Sequence, residues 1–208
     1  MKKIAIFLRK KGSLNKFRRA ILNTLQINLI DEALICSGFF QDDVKYSAGN
    51  DLEFMSFRSA APLSLTSVGL YSYAWKVQYE NFEKNLIAKN SSINLNFSRK
   101  RIPRMGWHAK VFIAKEAGIP VVGIIGSSNI TRRAFGESKD FNYECDVIMW
   151  NEGRSHINRA IEAAIGDDGL FSDVIVSNYD DAHRSSMQSL EARLIELEGE
   201  IMSAAINI

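Results

Sequence analysis

Residues 106–135 read GWHAKVFIAKEAGIPVVGIIGSSNITRRAF, and the pattern of apolar and polar residues in this stretch is the most informative in the chain. It contains two apolar runs, 108–114 and 121–126, separated by a turn over residues 115–120. Runs of this length and composition are typical of buried strands, so the stretch predicts a β-hairpin. A Gly-Ser-Ser-Asn sequence follows the second run, and the hairpin returns it to the beginning of the first.

Polar side chains gather at the open end of this predicted hairpin. Side chains alternate between the faces of a strand, so His108 and Lys110 share one face and lie about 7 Å apart. Ser127 and Asn129 return beside them. Lysine and asparagine donate hydrogen bonds to phosphate oxygens, and imidazole acts as a nucleophile or as a general acid or base near neutral pH. The cluster has too few carboxylates or thiolates for a metal, and we expect no cofactor.

Outside the hairpin, predicted strands and helices alternate along the chain. This order indicates an α/β fold with a mixed β-sheet flanked by helices. Ser13 is the predicted cap of the first helix, and Lys16 is predicted on its outer face. Residues 41–68 are predicted to be an irregular insertion, and a basic loop is predicted after residue 97. The predicted helices are 14–28, 71–88 and 155–165, with a short helix from Asn129, and the remaining predicted strands are 32–40, 93–97 and 144–150.

Apolar residues in the C-terminal part have heptad spacing. This spacing predicts an amphipathic or coiled-coil helix, and two arrangements fit it equally well: a coiled coil with another chain, or a helix packed on its own domain. We therefore predict a domain at residues 1–178 and a C-terminal helical tail at residues 179–208. The spaced residues are Met187, Leu190, Leu194, Leu197 and Ile201.

The composition limits the class of protein. With 46% apolar and 24% charged residues, it is typical of a soluble globular protein, and a net charge of +2 means that any attraction for phosphate comes from local clusters. Cys36 and Cys145 lie in apolar segments and are predicted to be buried, reduced thiols. The basic opening has too short an apolar run for a signal peptide, and no run is long enough to span a bilayer. We expect a cytoplasmic protein that does not contact membranes.

The polar residues of the hairpin match a known pattern. His108-x-Lys110 followed by Gly126-Ser127-x-Asn129 resembles the HxK…GSxN signature of the phospholipase D superfamily. Glu144 stands where nucleases of that family carry a glutamate that orients the histidine. The likeness covers about 45 residues and is to the small, single-motif branch, which includes bacterial endonucleases and some restriction enzymes.

The resemblance implies a phospholipase D-like fold and a metal-independent nuclease. One histidine would attack phosphorus to form a phosphohistidine, and a second would protonate the leaving oxygen. His108 would fill these roles, Lys110, Ser127 and Asn129 would bind the phosphate, and Glu144 would orient His108. Because the family needs two copies of the motif and this chain has one, a homodimer is implied, with the site at its two-fold axis. The heptad tail would be an additional contact.

One position departs from the family pattern, which has an aspartate five residues after the lysine. This chain has Lys115 there, and the interval from Lys110 to Gly126 is longer than usual. The departure keeps a second function open, that of a catalytically weak or inactive nucleic-acid-binding or scaffold subunit of a defence or repair complex. A phospholipid hydrolase is a third and weaker alternative.

Basic side chains flank the motif in the sequence on both sides. Their placement predicts contacts with the backbone of a nucleic acid, DNA ahead of RNA. The alternative is an ordinary solvated loop and helix face. The residues are Arg99, Lys100, Arg101 and Arg104 before the motif, and Arg132 and Arg133 after it.

Overall fold

The computed structural model describes residues 1–10, 13–54, 58, 61–70, 75–103, 108–137, 139–166 and 174–208. The strands among them are β1 (Lys2–Leu8), β2 (Glu32–Ser37), β3 (Asp42–Asp43), β4 (Tyr46–Ser47), β5 (Leu63–Leu70), β6 (Leu95–Ile102), β7 (Lys110–Glu116), β8 (Ile119–Gly126), β9 (Cys145–Asn151), β10 (Val174–Asn178) and β11 (Ile206–Asn207). The helices are α1 (Lys16–Leu25), α2 (Ala48–Asp51), α3 (Lys76–Lys89), α4 (Ser155–Ile165) and α5 (Leu190–Ala204).

A mixed sheet forms the centre of the chain, in the strand order β10-β1-β9-β8-β7-β2-β5-β6-β11. β2, β5 and β6 are parallel to one another, and the remaining neighbours pair antiparallel. As a result, the residues that follow β1, β2, β5, β6 and β8 lie at the same end of the sheet as those that precede β7 and β9. We call this end the motif end. The opposite end, where the turn between β7 and β8 lies, is called the turn end.

Helices cover both faces of the sheet, which confirms the predicted α/β class. On one face, Phe17 of α1, Phe82 of α3 and Ile157 of α4 are buried in one apolar cluster with Phe112 of β7. On the other face, α5 packs over a second cluster that includes Ile113 of β7. Neighbouring residues of β7 therefore enter opposite cores, as strand alternation requires. No helix among the described residues is long and apolar enough to cross a membrane.

Three of the five heptad positions of the tail are buried within the chain itself. Leu190, Leu194 and Ile201 are at most 2% exposed and pack on the sheet. Leu194 lies so close to Gly123 that an added Cβ would be 2.9 Å from its Cδ1 atom. Met187 lies before the helix and is 84% exposed. The predicted amphipathic helix is confirmed, and its apolar face is already occupied by its own sheet. The division of the chain at residue 178 stays a prediction.

The first helix is shorter than predicted and has a different cap. Asn15 caps α1 by accepting a hydrogen bond from Arg18 N at 3.1 Å, whereas the Ser13 hydroxyl donates to the Lys10 carbonyl at 2.7 Å. Lys16 is only 6% exposed, so its predicted place on the outer face is wrong. The spacing of apolar residues identified the helix but not the residue where the chain enters it.

The prediction that residues 41–68 are irregular is also wrong. β3 and β4 form a small hairpin, α2 follows, and β5 lies inside the main sheet between β2 and β6. β5 is rich in serine and threonine, which hid a strand whose Leu63 and Leu65 are buried. Residues 55–57 and 59–60 lie outside the described part of this segment. The predicted basic loop is likewise a strand up to Ile102, because β6 continues through it.

The predicted hairpin is confirmed as β7 and β8, and α4 has the predicted bounds. The turn uses left-handed backbone at Ala117 and Gly118, with φ of 51° and 75°. No helix begins near Asn129. The Thr131 carbonyl instead accepts from the amides of the three residues at 134–136, which closes a compact turn. The helix predicted at 71–88 is described only from Lys76, and residues 71–74 lie outside the described part.

Candidate functional site

The predicted histidine and lysine lie at the motif end of the hairpin. Lys110 is the first residue of β7 and pairs with Gly126, the last residue of β8. His108 precedes it by two residues and is exposed, and the Lys110 ammonium donates to the His108 carbonyl at 2.7 Å. Within the part of the chain that the structure describes, no hydrogen bond to the His108 ring is found. The imidazole therefore faces solvent beside the ammonium group.

The loop at residues 127–130 crosses the end of β7. On one side of β7, the Ser128 amide and hydroxyl donate to the Asp146 carboxylate of β9 at 3.2 and 2.6 Å. On the other side, the Ile130 amide donates to the Ser37 hydroxyl of β2 at 3.0 Å. β7 lies between β8 and β2 in the sheet. The loop must therefore pass over the strand end from which His108 projects.

Asn129 has its amide oxygen fixed inside this loop. Its Oδ1 accepts from the Phe39 amide at 3.2 Å, and the Ser37 hydroxyl lies 3.3 Å from the same oxygen. Only the oxygen of the carboxamide can accept a hydrogen bond from the Phe39 N–H, so this contact determines which way the carboxamide is oriented. Among the described residues, no acceptor is recorded for the Asn129 NH2 group. That group is left as a donor near the start of β7.

Ser127 and Glu144 form a tightly bonded pair. The Ser127 hydroxyl donates to Glu144 Oε2 and accepts from the Cys145 amide at 3.1 Å. Glu144 is 7% exposed and also accepts from Asn142 Nδ2 at 3.1 Å. A hydroxyl has one proton, and here that proton is directed at Glu144. The predicted roles of Ser127 toward phosphate and of Glu144 toward His108 stay predictions.

Asp146 is a site residue that the sequence interpretation missed. Its side chain is 1% exposed, beneath Gly126 and Ser128, and burial raises its pKa to about 6, against the opposing effect of the hydrogen bonds from Ser128. A Cβ added to Gly126 would overlap the carboxylate and lie 2.7 Å from Cγ. The glycine is required for space. A signal was present, because Asp146 alternates with buried Ile148 and Trp150 along β9.

Arg9 is the second residue that was missed. Its guanidinium donates to the carbonyls of Arg133, Ala134 and Gly136 at 2.8, 2.7 and 2.9 Å, and its backbone amide donates to the Glu144 carbonyl at 2.8 Å. Burial lowers the pKa of Arg9, although nearby Glu144 opposes this. Arg9 thus holds the turn after Asn129 and the start of β9 together. Nothing in the sequence around Arg9 distinguishes it from a surface arginine.

The flanking basic residues differ in whether their side chains already bond to other groups of the chain. The Arg99 side chain is 14% exposed, with Nε 3.2 Å from Glu83, and it lies over the Tyr79 ring at 5.6 Å. Lys100 donates to Asn207 at 2.5 Å, and Arg132 donates to Asp140 at 3.0 Å. Arg101 is half-buried, Arg133 is exposed, and Arg104 lies outside the described residues.

The two cysteines have different environments. Cys36 is buried, as predicted, and burial raises the pKa of its thiol to about 12. Cys145 is exposed, so the prediction of a buried thiol is wrong there. It is the first residue of β9. Within the described residues, no three His, Cys, Asp or Glu side chains are grouped closely enough to hold a metal ion.

The sequence matches no protein-family model and no curated protein. Solved structures with a similar chain trace include NucT from Helicobacter pylori, which is 16% identical, with a TM-score of 0.40 over 78% of this chain and 97% of that one. Yeast tyrosyl-DNA phosphodiesterase is 11% identical, with a TM-score of 0.33 over 70% of this chain and 31% of that one. Phosphatidylserine synthase from Haemophilus influenzae Rd KW20 is 9% identical, with a TM-score of 0.46 over 98% of this chain and 47% of that one. This chain therefore spans less than half the length of the last two. TM-scores below 0.5 describe a loose likeness, and the function has to be argued from the side chains.

Proposed function

We propose that this chain is a phosphodiesterase that hydrolyses nucleic acid, DNA ahead of RNA. The observation that carries the proposal is the loop at 127–130, which crosses the end of β7 and leaves the Asn129 NH2 group as a donor near the start of the strand that begins with Lys110. A nucleophile with two hydrogen-bond donors beside it is the arrangement that phosphoryl transfer needs. The open position of His108 leaves room for an extended substrate.

The proposed reaction has two steps. His108 attacks phosphorus, forming a P–N bond as the P–O bond to the leaving group breaks, while Lys110 and Asn129 donate to the non-bridging oxygens. A second imidazole, that of His108 in another copy of the chain, gives its proton to the leaving oxygen. Water then attacks phosphorus, forming a P–O bond as the P–N bond to His108 breaks, and gives a proton to the second imidazole. Each proton and bond is accounted for without a metal ion.

Glu144 supports this scheme through its free acceptor positions. A carboxylate has about four lone-pair sites, and the hydrogen bonds from Ser127 and Asn142 occupy two of them. We propose that the remaining sites accept from a protonated imidazole and stabilise it. Ser127 then acts mainly by holding the carboxylate in place, with phosphate contact as its secondary role.

Lys115 does not favour the non-catalytic alternative. It lies five residues beyond Lys110 along β7, about 16 Å away on a strand. Its ammonium is 2.7 Å from Glu198 of α5 and 3.2 Å from Glu32 of β2. This position at the turn end supports a role in fastening α5. The Lys115 departure, which kept the scaffold function open, therefore no longer supports that function.

The test is cleavage of single- and double-stranded DNA and RNA in excess EDTA. We expect the wild-type chain to cleave at least one of these, and we expect His108→Ala to reduce the rate by about a thousandfold or more. His156→Ala is the matched control, because His156 is bonded to Glu116 at the turn end. Cleavage that survives in His108→Ala, or that requires an added divalent cation, would overturn the proposal.

The homodimer is tested separately by mixing subunits. If each site needs two copies of His108, activity should fall with the square of the wild-type fraction as His108→Ala chain is added at constant total concentration. A linear fall would mean that one chain holds a complete site. Light scattering at the assay concentration should give twice the mass of the 23.4 kDa chain.

A further inference from the structure

Two aromatic side chains lie beside the phosphate donors at the motif end. Phe39 comes two residues after β2, and Trp75 comes directly before α3. Their ring centroids are 4.4 Å apart and the planes are tilted by 39°. Both side chains are half-buried, so the pair keeps part of its ring surface open to solvent.

The pair is connected directly to Asn129. The Phe39 backbone amide donates to Asn129 Oδ1 at 3.2 Å. The Phe39 ring is therefore separated from the carboxamide only by this hydrogen bond and the length of its own side chain. β2 is next to β7 in the sheet, on the side away from β8 and β9. Ser127 and Glu144 therefore lie toward the β8–β9 side of β7, and the aromatic pair lies toward its β2 side.

Phe40, next to Phe39 in the sequence, is by contrast an aromatic residue of the buried core. Phe40 is 2% exposed and stacks on Tyr79, which is 1% exposed, with ring centroids 4.8 Å apart and planes within 6°. These two rings fill the core beneath α3. Phe39 and Trp75 lie outside that cluster. A half-exposed aromatic pair beside polar donors needs a different explanation.

We propose that Phe39 and Trp75 form a platform on which a nucleobase next to the scissile phosphate stacks. This inference rests on the proposed function and narrows its substrate. Every base has a flat π-face, so stacking binds nucleic acid without reading its sequence. It also requires a base that is not paired within a duplex. The expected substrate is therefore a single-stranded segment or a frayed end.

The test compares two strands that differ only in their bases. One is a fluorescent single-stranded DNA, and the other carries abasic tetrahydrofuran residues on both sides of the central phosphate. Binding is measured by anisotropy in a His108→Ala background, so that neither strand is cleaved. We expect the intact strand to bind roughly tenfold or more tightly, since stacking on one aromatic residue has an effect of that size.

Substitutions then assign the difference to the pair. Trp75→Leu keeps apolar volume but removes the large π-face, and it should bring the ratio of the two affinities close to one. Trp75→Phe should keep most of the ratio, and Phe39→Leu provides an independent second variant. Tyr143→Leu is the control, because Tyr143 is 70% exposed and pairs with Phe141 at 5.3 Å rather than with Phe39 or Trp75. Its ratio should stay unchanged. Thermal unfolding checks that each variant is folded.

The outcomes separate this inference from the proposed function. Cleavage by the wild type together with an affinity ratio near one before any Trp75 change would overturn the platform and leave the hydrolase intact. A large ratio that Trp75→Leu abolishes, in a wild type that cleaves no nucleic acid, would support the platform and contradict the hydrolase. Binding to phosphatidylglycerol vesicles that depends on Trp75, with a ratio near one for DNA, would overturn the platform in favour of a lipid surface.

Discussion

The two ends of strand β7 differ in how their charged and histidine side chains are bonded. Lys110 and His108 lie at the motif end, and Glu116 lies at the turn end, where it contacts His156 of α4. At the turn end, Glu116 accepts from Arg154 at 2.7 Å and from His156 at 3.0 Å. Each carboxylate oxygen of Glu116 therefore has a side-chain partner within hydrogen-bonding distance. At the motif end, Lys110 bonds only a carbonyl among the described residues, and the His108 ring faces solvent.

This difference distinguishes side chains that stabilise the fold from side chains that are available to bind a substrate. Opposite charges that are paired and partly buried hold secondary structure in place, here the start of α4 against the hairpin turn. A donor that will bind a phosphate has to be left available, and the surrounding structure has to position it. At the motif end, that positioning comes from uncharged loop contacts and from Asp146 and Arg9. Four predictions test this contrast, in order of decreasing expected effect.

The largest effect is expected from Gly126→Ala at the motif end of the hairpin. Its added methyl group would overlap the Asp146 carboxylate, and we expect a loss of about 3 kcal/mol in the free energy of unfolding. The displaced Asp146 would release Ser128, so cleavage should fall at least about tenfold. Urea unfolding and cleavage rates measure the two effects.

Gly118→Ala is the matched control at the turn end. No atom lies within 4 Å of an added Cβ there, but φ is +75°. The cost is conformational, about 1 kcal/mol, and cleavage should be unchanged. If the two alanine variants lost equal activity, the two ends of the hairpin would not be functionally distinct.

Asp146→Asn should alter the pH dependence of stability. Burial raises the pKa of Asp146 from 3.8 to about 6, so the folded state holds the proton more tightly than the unfolded state. The free energy of unfolding therefore falls as pH rises from about 4 to about 6, by about 3 kcal/mol at most from this group. Asparagine does not ionise, so the variant should lack this fall. Urea unfolding from pH 4 to 7 checks the difference, and parallel curves for the two proteins would contradict the assignment.

Lys115→Asp introduces the residue that the phospholipase D pattern has at this position, and we expect it to be harmful. Aspartate at this position would face Glu198 and Glu32, replacing two attractions with two repulsions. We expect a loss of about 2 kcal/mol in stability and no gain in cleavage rate. Lys115→Met, which removes the attractions alone, should lose about half as much. A faster enzyme after Lys115→Asp would show that the substitution at this position limits catalysis.

The sequence predicted those parts of the site that depend on local periodicity. The hairpin, and with it the pairing of Lys110 with Gly126, follows from two apolar runs around a turn. The helix at 155–165 was predicted in full because its apolar stripe is regular. The heptad spacing predicted α5 but not its partner, because a stripe of leucines is the same whether it faces a sheet or another helix.

The parts that failed depend on contacts distant in sequence. Asn129 was expected to begin a helix, and its conformation is instead set by Ser37 and Phe39, about 90 residues away. Arg9 acts on carbonyls more than 120 residues later in the chain. β5 is a central strand because neighbours on both sides pair with it, although its serine and threonine residues resemble those of a loop. No local pattern contains this information.

The smallest effect is expected from Glu116→Gln at the turn end. Glutamine keeps one acceptor but loses the charge that faces Arg154 and His156, and the Glu116 side chain is 14% exposed. We expect a loss of about 1 kcal/mol in the free energy of unfolding, because ion pairs near the surface contribute little. Cleavage in EDTA should match the wild type at temperatures well below the unfolding midpoint. A fall in the cleavage rate without a change in stability would show that the two ends of β7 are coupled, since no described contact joins Glu116 to His108 or Lys110.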